Sequence, residues 1–330
     1  STLSDELVLS GKGKAYAVSF KDRGAITLAG HAGKAFWFDK EDGGFISSTF
    51  YYKTLPSWLV DWNKNYKADN YTWQLDKPAK SYINVNSPTL KHDLKSFNAT
   101  FPHKLKRGVP LYFKNLSRTP RADELTLEVA KTLLTHEKIG QKKQHTDYLA
   151  ISFSSFDAIG HEFGPNSLEA EDDLIRLDKT IAELLATLDK KVGLANTLII
   201  FSADHGVNET PTYLTQHHLQ KAKPNNIKEL SKEIRTILHQ QFGLPEKALM
   251  ALSLPYVYLD HAIISKHHQS SLAVSQILAH ELGYKNDVFR AYALPLADQT
   301  TDWLGMKVSK MYFPSRSGDL YLVPQPNQYR

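Results

Sequence analysis

Residues 148–161 read YLAISFSSFDAIGH, an apolar run that leads into an aspartate and a histidine. The run at 148–153 is short and unbroken, which predicts a strand buried on both faces, as in a parallel sheet. Asp157 and His161 are four residues apart, so a helical turn after the strand would place both side chains on one face. Ligands of open α/β sheets bind at the carboxyl ends of the strands, so this stretch predicts both a fold class and the place of a site.

A second stretch repeats the pattern, since residues 196–206 read NTLIIFSADHG. Its apolar run predicts another buried strand, at 197–203, followed directly by Asp204 and His205. These two residues would point apart in an extended chain, so a bend assisted by Gly206 is needed if both are to reach one metal ion. For this stretch alone, the alternative is an ordinary turn with solvated polar side chains.

Taken together, the two strands deliver two Asp–His sets to one edge of a sheet. A set of carboxylates and imidazoles without sulfur suits zinc, with manganese or iron as alternatives. Two metal ions roughly 3.5–4 Å apart bind the attacking and leaving oxygens of a displacement at phosphorus. The sequence therefore predicts a metal site built from Asp157, His161, Asp204 and His205.

Helices alternate with these strands along the chain. A first strand is predicted at 14–20, one helix from Pro120 to about Gly140, and another between Asn166 and Gly193. The order helix, strand, helix, strand predicts a mainly parallel sheet with helices on both faces. We therefore expect an α/β fold with three layers, α/β/α.

The composition of the chain argues against several classes of protein. Apolar residues make up 42% and charged residues 23% of the chain, which is typical of a globular protein. No run of 18 apolar residues is present, so no membrane span is expected. The net charge of +5 is spread along the chain without a basic arm, and no nucleic-acid-binding signature is found. The absence of cysteine excludes disulfides and thiolate metal sites.

Two cations follow the first predicted strand. Lys21 and Arg23 are two residues apart, so on an extended segment they project together. A lysine and an arginine beside a metal site match the charge of a phosphoryl group, and arginine can bind two of its oxygens at once. A solvated charged turn is the alternative.

Several segments resemble the alkaline phosphatase superfamily. In chain order they are AVSFKDRGAITLAGHAGKAFWF, TPRADELTLEVAK, ISFSSFDAIGHEFGPNS, LIRLDKTIAELLATLD, FSADHGV and RSGDLYLVP. The branch that they resemble is the type I phosphodiesterase/nucleotide pyrophosphatase-like proteins, which include phosphate-irrepressible alkaline phosphatases. The resemblance covers most of the chain and implies a three-layer α/β/α sandwich of the alkaline phosphatase type with accessory insertions.

The resemblance also implies two zinc ions at the carboxyl edge of the sheet. Asp157 and His161 match ligands of the first ion, and Asp204 and His205 match ligands of the second. Each ion has a further ligand in the family, an early aspartate for one and a late histidine for the other. The family's threonine or serine nucleophile follows the early aspartate.

The implied activity is hydrolysis of phosphate monoesters, with Lys21 and Arg23 binding the phosphate oxygens. A phosphodiesterase or nucleotide pyrophosphatase is the alternative enzyme, and a non-catalytic relative that binds an anion or a metal is the alternative from another class. The expected partner is a small phosphorylated substrate and not a nucleic acid. We expect a monomer, and the resemblance implies a periplasmic or secreted location.

This sequence departs from the family pattern at both ends. The early aspartate and the nucleophile would lie before Lys21, and the late histidine would follow the RSGDLYLVP segment. Thr49 lies in the wrong order to be the nucleophile, so none is assigned in this chain. The expectation is therefore an internal fragment of a longer enzyme, inactive alone and with weak or absent zinc.

Changes in composition and periodicity along the chain predict five segments. They are a core segment at 1–29, an accessory insertion at 30–115, a core segment with the metal motifs at 116–206, a second accessory insertion at 207–300, and a return to the core at 301–330.

Overall fold

A computed structural model of the chain describes residues 1–87, 100–219, 226–285 and 288–326. The chain divides into two units, Ser1–Glu209 and Thr210–Arg330. Parts of both predicted accessory insertions, and the last four residues, lie outside the described ranges. The functional division into core and accessory segments stays a prediction.

The first unit contains seven helices and six strands within its described residues. The helices are α1 (Leu3–Leu9), α2 (Asp22–Ala29), α3 (Ser57–Asn65), α4 (Tyr112–Leu116), α5 (Arg121–His136), α6 (Ser155–Phe163) and α7 (Leu168–Lys191). The strands are β1 (Ala15–Ser19), β2 (Lys34–Phe38), β3 (Phe45–Ile46), β4 (Tyr71–Trp73), β5 (His103–Leu105) and β6 (Tyr148–Ser152).

The main sheet of this unit has the strand order β3-β2-β1-β6. β1 runs parallel to both β2 and β6, with Ala17 opposite Ala35 on one side and Ala150 on the other. β3 is antiparallel to β2, and β4 and β5 form a separate antiparallel pair. The predicted strands at 14–20 and 148–153 are thus confirmed as parallel neighbours, β1 and β6.

The two faces of the sheet differ in side-chain size. On one face the alanines of the three parallel strands pack with Ala25 and Ala29 of α2. Bulky side chains such as Val18 and Phe36 pack with leucines of α5 in the larger core on the other face. Small residues let α2 approach the sheet closely, whereas the bulky layer fills the wider space under α5. The result is the expected order of helix, sheet and helix.

The predicted strand at 197–203 is not formed. These residues have no regular secondary structure, and the side chains of Leu198, Ile200 and Phe201 are 87%, 76% and 81% exposed. Within the described ranges β6 pairs with β1 alone, so β6 is an edge of the sheet. An apolar run shows that burial of a segment would be favourable, but it does not specify what covers the segment. The prediction was wrong for that reason.

Leucine side chains form only part of the inward face of α7. Leu188 packs against the core, but Leu174 is 53% exposed. The buried side chains of α7 include the acids Asp172 and Asp173 instead. Asp172 accounts for part of this difference, because its carboxylate accepts hydrogen bonds from the buried side chains of Trp73 and Tyr82.

The second unit is built around an antiparallel sheet of the order β7-β8-β10-β9. Its strands are β7 (Leu249–Ser253), β8 (Tyr256–Leu259), β9 (Val288–Ala293) and β10 (Leu320–Pro324). Its helices are α8 (Pro211–Gln216), α9 (Ile227–Phe242), α10 (His261–Lys266), α11 (Ser271–Leu282) and α12 (Trp303–Met311). The last strand, β10, therefore lies between β8 and β9 in this antiparallel sheet. Across the described parts of both units, no helix is long and apolar enough to cross a membrane.

Candidate active site

The turn after β1 places two cations at the carboxyl edge of the parallel sheet. β1 ends at Ser19, and α2 begins at Asp22. The hydroxyl oxygen of Ser19 accepts a hydrogen bond from the backbone N–H of Lys21 at 3.0 Å, which fixes the turn. No side chain caps the N-terminus of α2, so the positive end of the helix dipole lies beside Lys21 and Arg23.

Asp157 and His161 lie on one face of α6. Asp157 Oδ1 is 3.3 Å from His161 Nε2. The other carboxylate oxygen, Oδ2, accepts a hydrogen bond from Lys21 Nζ. This ion pair joins the turn after β1 to the helix that follows β6, the neighbouring strand.

His205 approaches the same carboxylate from the segment after α7. Its Nε2 atom is 3.8 Å from Asp157 Oδ1 and 3.5 Å from Asp204 Oδ2. The Asp204 side chain is 87% exposed, so it lies at the outer side of the group. The structure therefore brings Lys21, His161 and His205 around Asp157, with Asp204 reached only through His205.

The charge state of Asp157 depends on these neighbours. Its side chain is partly buried, and burial favours the protonated form of a carboxyl group. The hydrogen bond and positive charge of Lys21, helped by His161 and His205, more than offset burial, so the pKa of Asp157 lies below its usual value. Asp157 is therefore ionised at neutral pH.

The donor types in this group suit zinc, because carboxylate and imidazole are common zinc ligands. Their arrangement does not fit a metal ion. Over the described ranges, no group of three or more histidine, aspartate or glutamate side chains is placed to hold one ion. The ammonium group of Lys21 contacts Asp157 Oδ2, an oxygen that a bound cation would use. We therefore derive no chemical step from a metal.

Three serine hydroxyls lie at the ends of β1 and β6. Ser19 Oγ is 3.3 Å from Ser154 Oγ, which is 3.4 Å from Ser152 Oγ. Ser19 is fully buried, so it cannot act on a substrate from its present position. Thr49 is exposed on the loop after β3 and makes no recorded polar contact with Asp157 in the described part of the chain.

Asp123 of α5 positions α6 and was not predicted from the sequence. It is 2% exposed, and its Oδ1 atom accepts hydrogen bonds from the backbone N–H groups of Ser154 and Ser155 at 2.7 and 3.1 Å. The carboxylate thus caps the helix that carries Asp157 and His161. An acidic residue in the first turn of an amphipathic helix is common, so nothing in the local sequence marks this role.

The second oxygen of Asp123 lies in a buried acidic environment. Neither this oxygen nor Oδ2 of Asp173 has a hydrogen-bond partner within the described residues. Burial raises the pKa of Asp123 to about 6. Burial and then the charge of Asp123 raise the pKa of Asp173 as well. Both groups therefore favour the protonated form more than an exposed aspartate does.

Two further cations close to Lys21 and Arg23 were also missed. Lys40 lies two residues after the end of β2 and is half-buried. Arg118 Nε pairs with a carboxylate oxygen of Glu162, on α6, at 2.8 Å. No local motif marks Lys40 or Arg118, because the groups near them come from distant parts of the chain.

The fold matches known crystal structures. The chain superimposes on wild-type alkaline phosphatase PafA with a TM-score of 0.84 and 29% sequence identity, covering 99% of this chain and 64% of that one. A PafA variant with four substitutions gives a TM-score of 0.86 and 28% identity, with the same coverage. The molecule is therefore an α/β protein with the alkaline phosphatase fold.

Sequence comparisons identify the family to which the chain belongs. The profile of the family described as "Type I phosphodiesterase / nucleotide pyrophosphatase" matches residues 29–329, so the chain belongs to that family. Alkaline phosphatase PhoV of Synechococcus elongatus is 38% identical over 100% of this chain and 61% of its own length. Alkaline phosphatase PafA of Elizabethkingia meningoseptica is 34% identical over 80% of this chain and 50% of its own length. The chain thus spans between half and two thirds of the length of these relatives.

Proposed function

We propose that the whole protein hydrolyses phosphate monoesters. The observation that carries the proposal is the meeting of Lys21 with Asp157 and its two histidines at one edge of the parallel sheet, with Arg23 in the same turn as Lys21. A lysine and an arginine suit the non-bridging oxygens of a phosphoryl group. The relatives named alkaline phosphatases support the same reaction class. In the matching PafA variant a lysine and an arginine two residues apart are among the substituted residues, which is the spacing of Lys21 and Arg23.

The family description also covers phosphodiesterases and nucleotide pyrophosphatases. A phosphodiester carries one charge fewer than a monoester dianion. A site with both Lys21 and Arg23 therefore favours the monoester, since the second cation would crowd a diester and leave its own charge unbalanced. This charge count makes a monoesterase the first choice. A non-catalytic anion-binding relative would bind the same esters without turning them over.

The resemblance to alkaline phosphatases implies two zinc ions, a hydroxyl nucleophile and a periplasmic or secreted location, and we include these in the proposal for the whole protein only. In residues 1–330, the side chains as placed support binding of a phosphate ester more than its hydrolysis. No group suited to a metal ion is found among the described residues, and Asp157 is paired with Lys21.

The proposal is tested by the substitution Arg23→Ala in the whole protein. The rates to compare are those with p-nitrophenyl phosphate and with bis(p-nitrophenyl) phosphate. We expect kcat/KM for the monoester to fall about 10- to 100-fold, because a charge-assisted contact contributes about 1.5–3 kcal/mol. The diester should lose less than about 3-fold, since a single cation still balances its charge.

Lys53→Ala is the matched control, because Lys53 is exposed and makes no ion pair among the described residues. This variant should keep both rates. Equal losses on both substrates in Arg23→Ala would show that the residue is only structural. An unmodified protein that hydrolyses neither ester would contradict the proposed function.

A further inference from the structure

Four cations surround the edge of the sheet next to Asp157, and they differ in their partners. Lys21 is paired with Asp157, and Arg118 is paired with Glu162 at 2.8 Å. Arg23 and Lys40 have no carboxylate within 4 Å among the described residues. Among the described residues, two of the four cations are therefore in ion pairs and two are not.

The backbone places Lys21 and Lys40 just beyond the ends of two adjacent strands. β1 and β2 are parallel neighbours with Ser19 opposite Trp37, and each lysine lies two residues beyond the end of its strand. The rings of Phe20 and Phe38 stack with their centroids 4.3 Å apart, so the two chains stay in register past the last ladder pair. Both lysines thus follow the carboxyl ends of adjacent strands, where ligands of parallel sheets bind.

The turn that carries Lys40 is held by its own hydrogen bonds. The N–H of Asp39 donates to the carbonyl oxygen of Gly44 at 2.8 Å, and the N–H of Gly43 donates to the carbonyl oxygen of Asp39 at 3.0 Å. The carboxylate of Asp39 accepts a further bond from the N–H of Glu41 at 2.9 Å. The backbone of Lys40 is therefore fixed, and its position does not depend on a loose loop.

The electrostatic environment of Lys40 is unfavourable for a lysine. The side chain is half-buried, and burial lowers the pKa of Lys40. The positive charges of Lys21 and Arg23 lower this pKa further. The carboxylate of Asp22 opposes them in part, and Arg118 adds a smaller lowering effect. Keeping a half-buried ammonium group among other cations costs free energy unless an anion offsets it. A half-buried lysine in a structured turn, without an ion pair within 4 Å among the described residues, is therefore a candidate for an anion-binding position.

We propose that Lys40 is a substrate-binding residue and that, with Arg23, it selects phosphate monoester dianions over diesters. The identification of the anion as a phosphate ester rests on the proposed function. Two cations without a carboxylate partner match the two negative charges of a monoester, whereas a diester has one charge and needs only one of them. Lys40 therefore determines specificity because it provides the second positive charge, which a monoester needs and a diester does not.

The test is a binding titration of residues 1–330, with a chelator present, followed by phosphorus NMR. The probes are methyl phosphate, a dianion at about pH 8, and dimethyl phosphate, a monoanion. We expect the protein to prefer methyl phosphate. Lys40→Met should weaken binding of methyl phosphate about 10- to 100-fold and binding of dimethyl phosphate less than about 3-fold. Lys40→Arg keeps the charge and should keep the preference.

Lys53→Met is the matched control and should bind both esters as the unmodified chain does, since Lys53 is an exposed lysine of the same unit. The assignment of Lys40 is overturned if Lys40→Met weakens both esters equally or neither, or if the unmodified chain binds no ester. Hydrolysis is not measured in this titration. Selective binding by this chain, combined with no turnover by the whole protein, would keep the assignment of Lys40 and reject the proposed function.

Discussion

Asp123 shows how one buried carboxylate can serve a site that it does not touch. It caps α6 through the N–H groups of Ser154 and Ser155, and so fixes the start of the helix that carries Asp157. Burial is the main reason why its pKa is raised from 3.8 to about 6. Because the folded-state pKa lies above the unfolded value, Asp123 stabilises the fold most when it is protonated. This contribution is complete below about pH 4 and is lost as the pH rises through 6.

The substitution Asp123→Asn tests this dependence. The amide oxygen still accepts the two backbone hydrogen bonds, but the side chain cannot ionise. The free energy of unfolding of the variant minus that of the unmodified chain should therefore increase by about 2 kcal/mol between pH 4 and pH 7. Urea unfolding at several pH values measures this difference in free energy. The control is Asp178→Asn, because Asp178 is an exposed residue of α7. A difference that does not change with pH would show that Asp123 is ionised at no cost.

Single residues of the site were only partly predictable from sequence. The spacing of Asp157 and His161 marked them, because residues four apart on a helix share a face. No local sequence pattern indicated that Lys21 would pair with Asp157. Lys21 was predicted to bind phosphate, and in the structure it also pairs with Asp157. Lys40 was missed altogether, since its relation to Arg23 arises only when the strands align.

At the scale of elements, α2 approaches the sheet so closely that one position admits no side chain. A Cβ atom at Gly24 would lie 2.8 Å from Ser19 Oγ and 3.1 Å from Ser152 Oγ. These hydroxyls belong to short side chains at the ends of β1 and β6 and have little freedom to move. At Gly160, inside α6, a Cβ atom would have no contact within 4 Å with the rest of the described chain beyond the local backbone of its own helix.

The two glycines therefore make a matched pair of substitutions. Gly24→Ala should lower the free energy of unfolding by about 1–3 kcal/mol, because the added methyl group overpacks the contact between α2 and the strands. Gly160→Ala should raise it by about 0.5–1 kcal/mol, since alanine favours a helix interior over glycine. Thermal or urea unfolding measures both. The packing explanation would be contradicted by two changes of the same sign.

Elements with strong periodicity were predicted well, and segments whose state depends on a neighbour were not. The helix α5 lies within the range predicted from Pro120 to about Gly140, and α7 begins after Ser167, one residue from the predicted start at Asn166. The strand at 197–203 failed because a continuous apolar run specifies no hydrogen-bonding partner. Local sequence determines a helix through its own hydrogen bonds, whereas a strand needs a second strand that the local pattern does not contain.

At the scale of the whole molecule, the fold is established and its metal content is not. We expect residues 1–330, purified alone, to contain little tightly bound zinc and to leave p-nitrophenyl phosphate unhydrolysed. Each implied zinc ion has only one Asp–His pair available to it here, whereas catalytic zinc sites use three protein ligands. Metal analysis and a colorimetric assay check both points. Zinc near one equivalent together with turnover would contradict the expectation, and Thr49 would then be the first residue to substitute.

The uncovered segment at 197–203 also has a consequence for the integrity of the chain. An extended stretch with exposed apolar side chains and no ladder hydrogen bonds is the conformation that proteases accept. Phe201 is 81% exposed, so chymotrypsin should cut there before it reaches the buried strands. Such a nick would leave Lys21 and Asp157 on one piece of the polypeptide and His205 on the other. A single cleavage at Phe201 would thus remove the covalent connection between His205 and the part of the chain that carries Asp157.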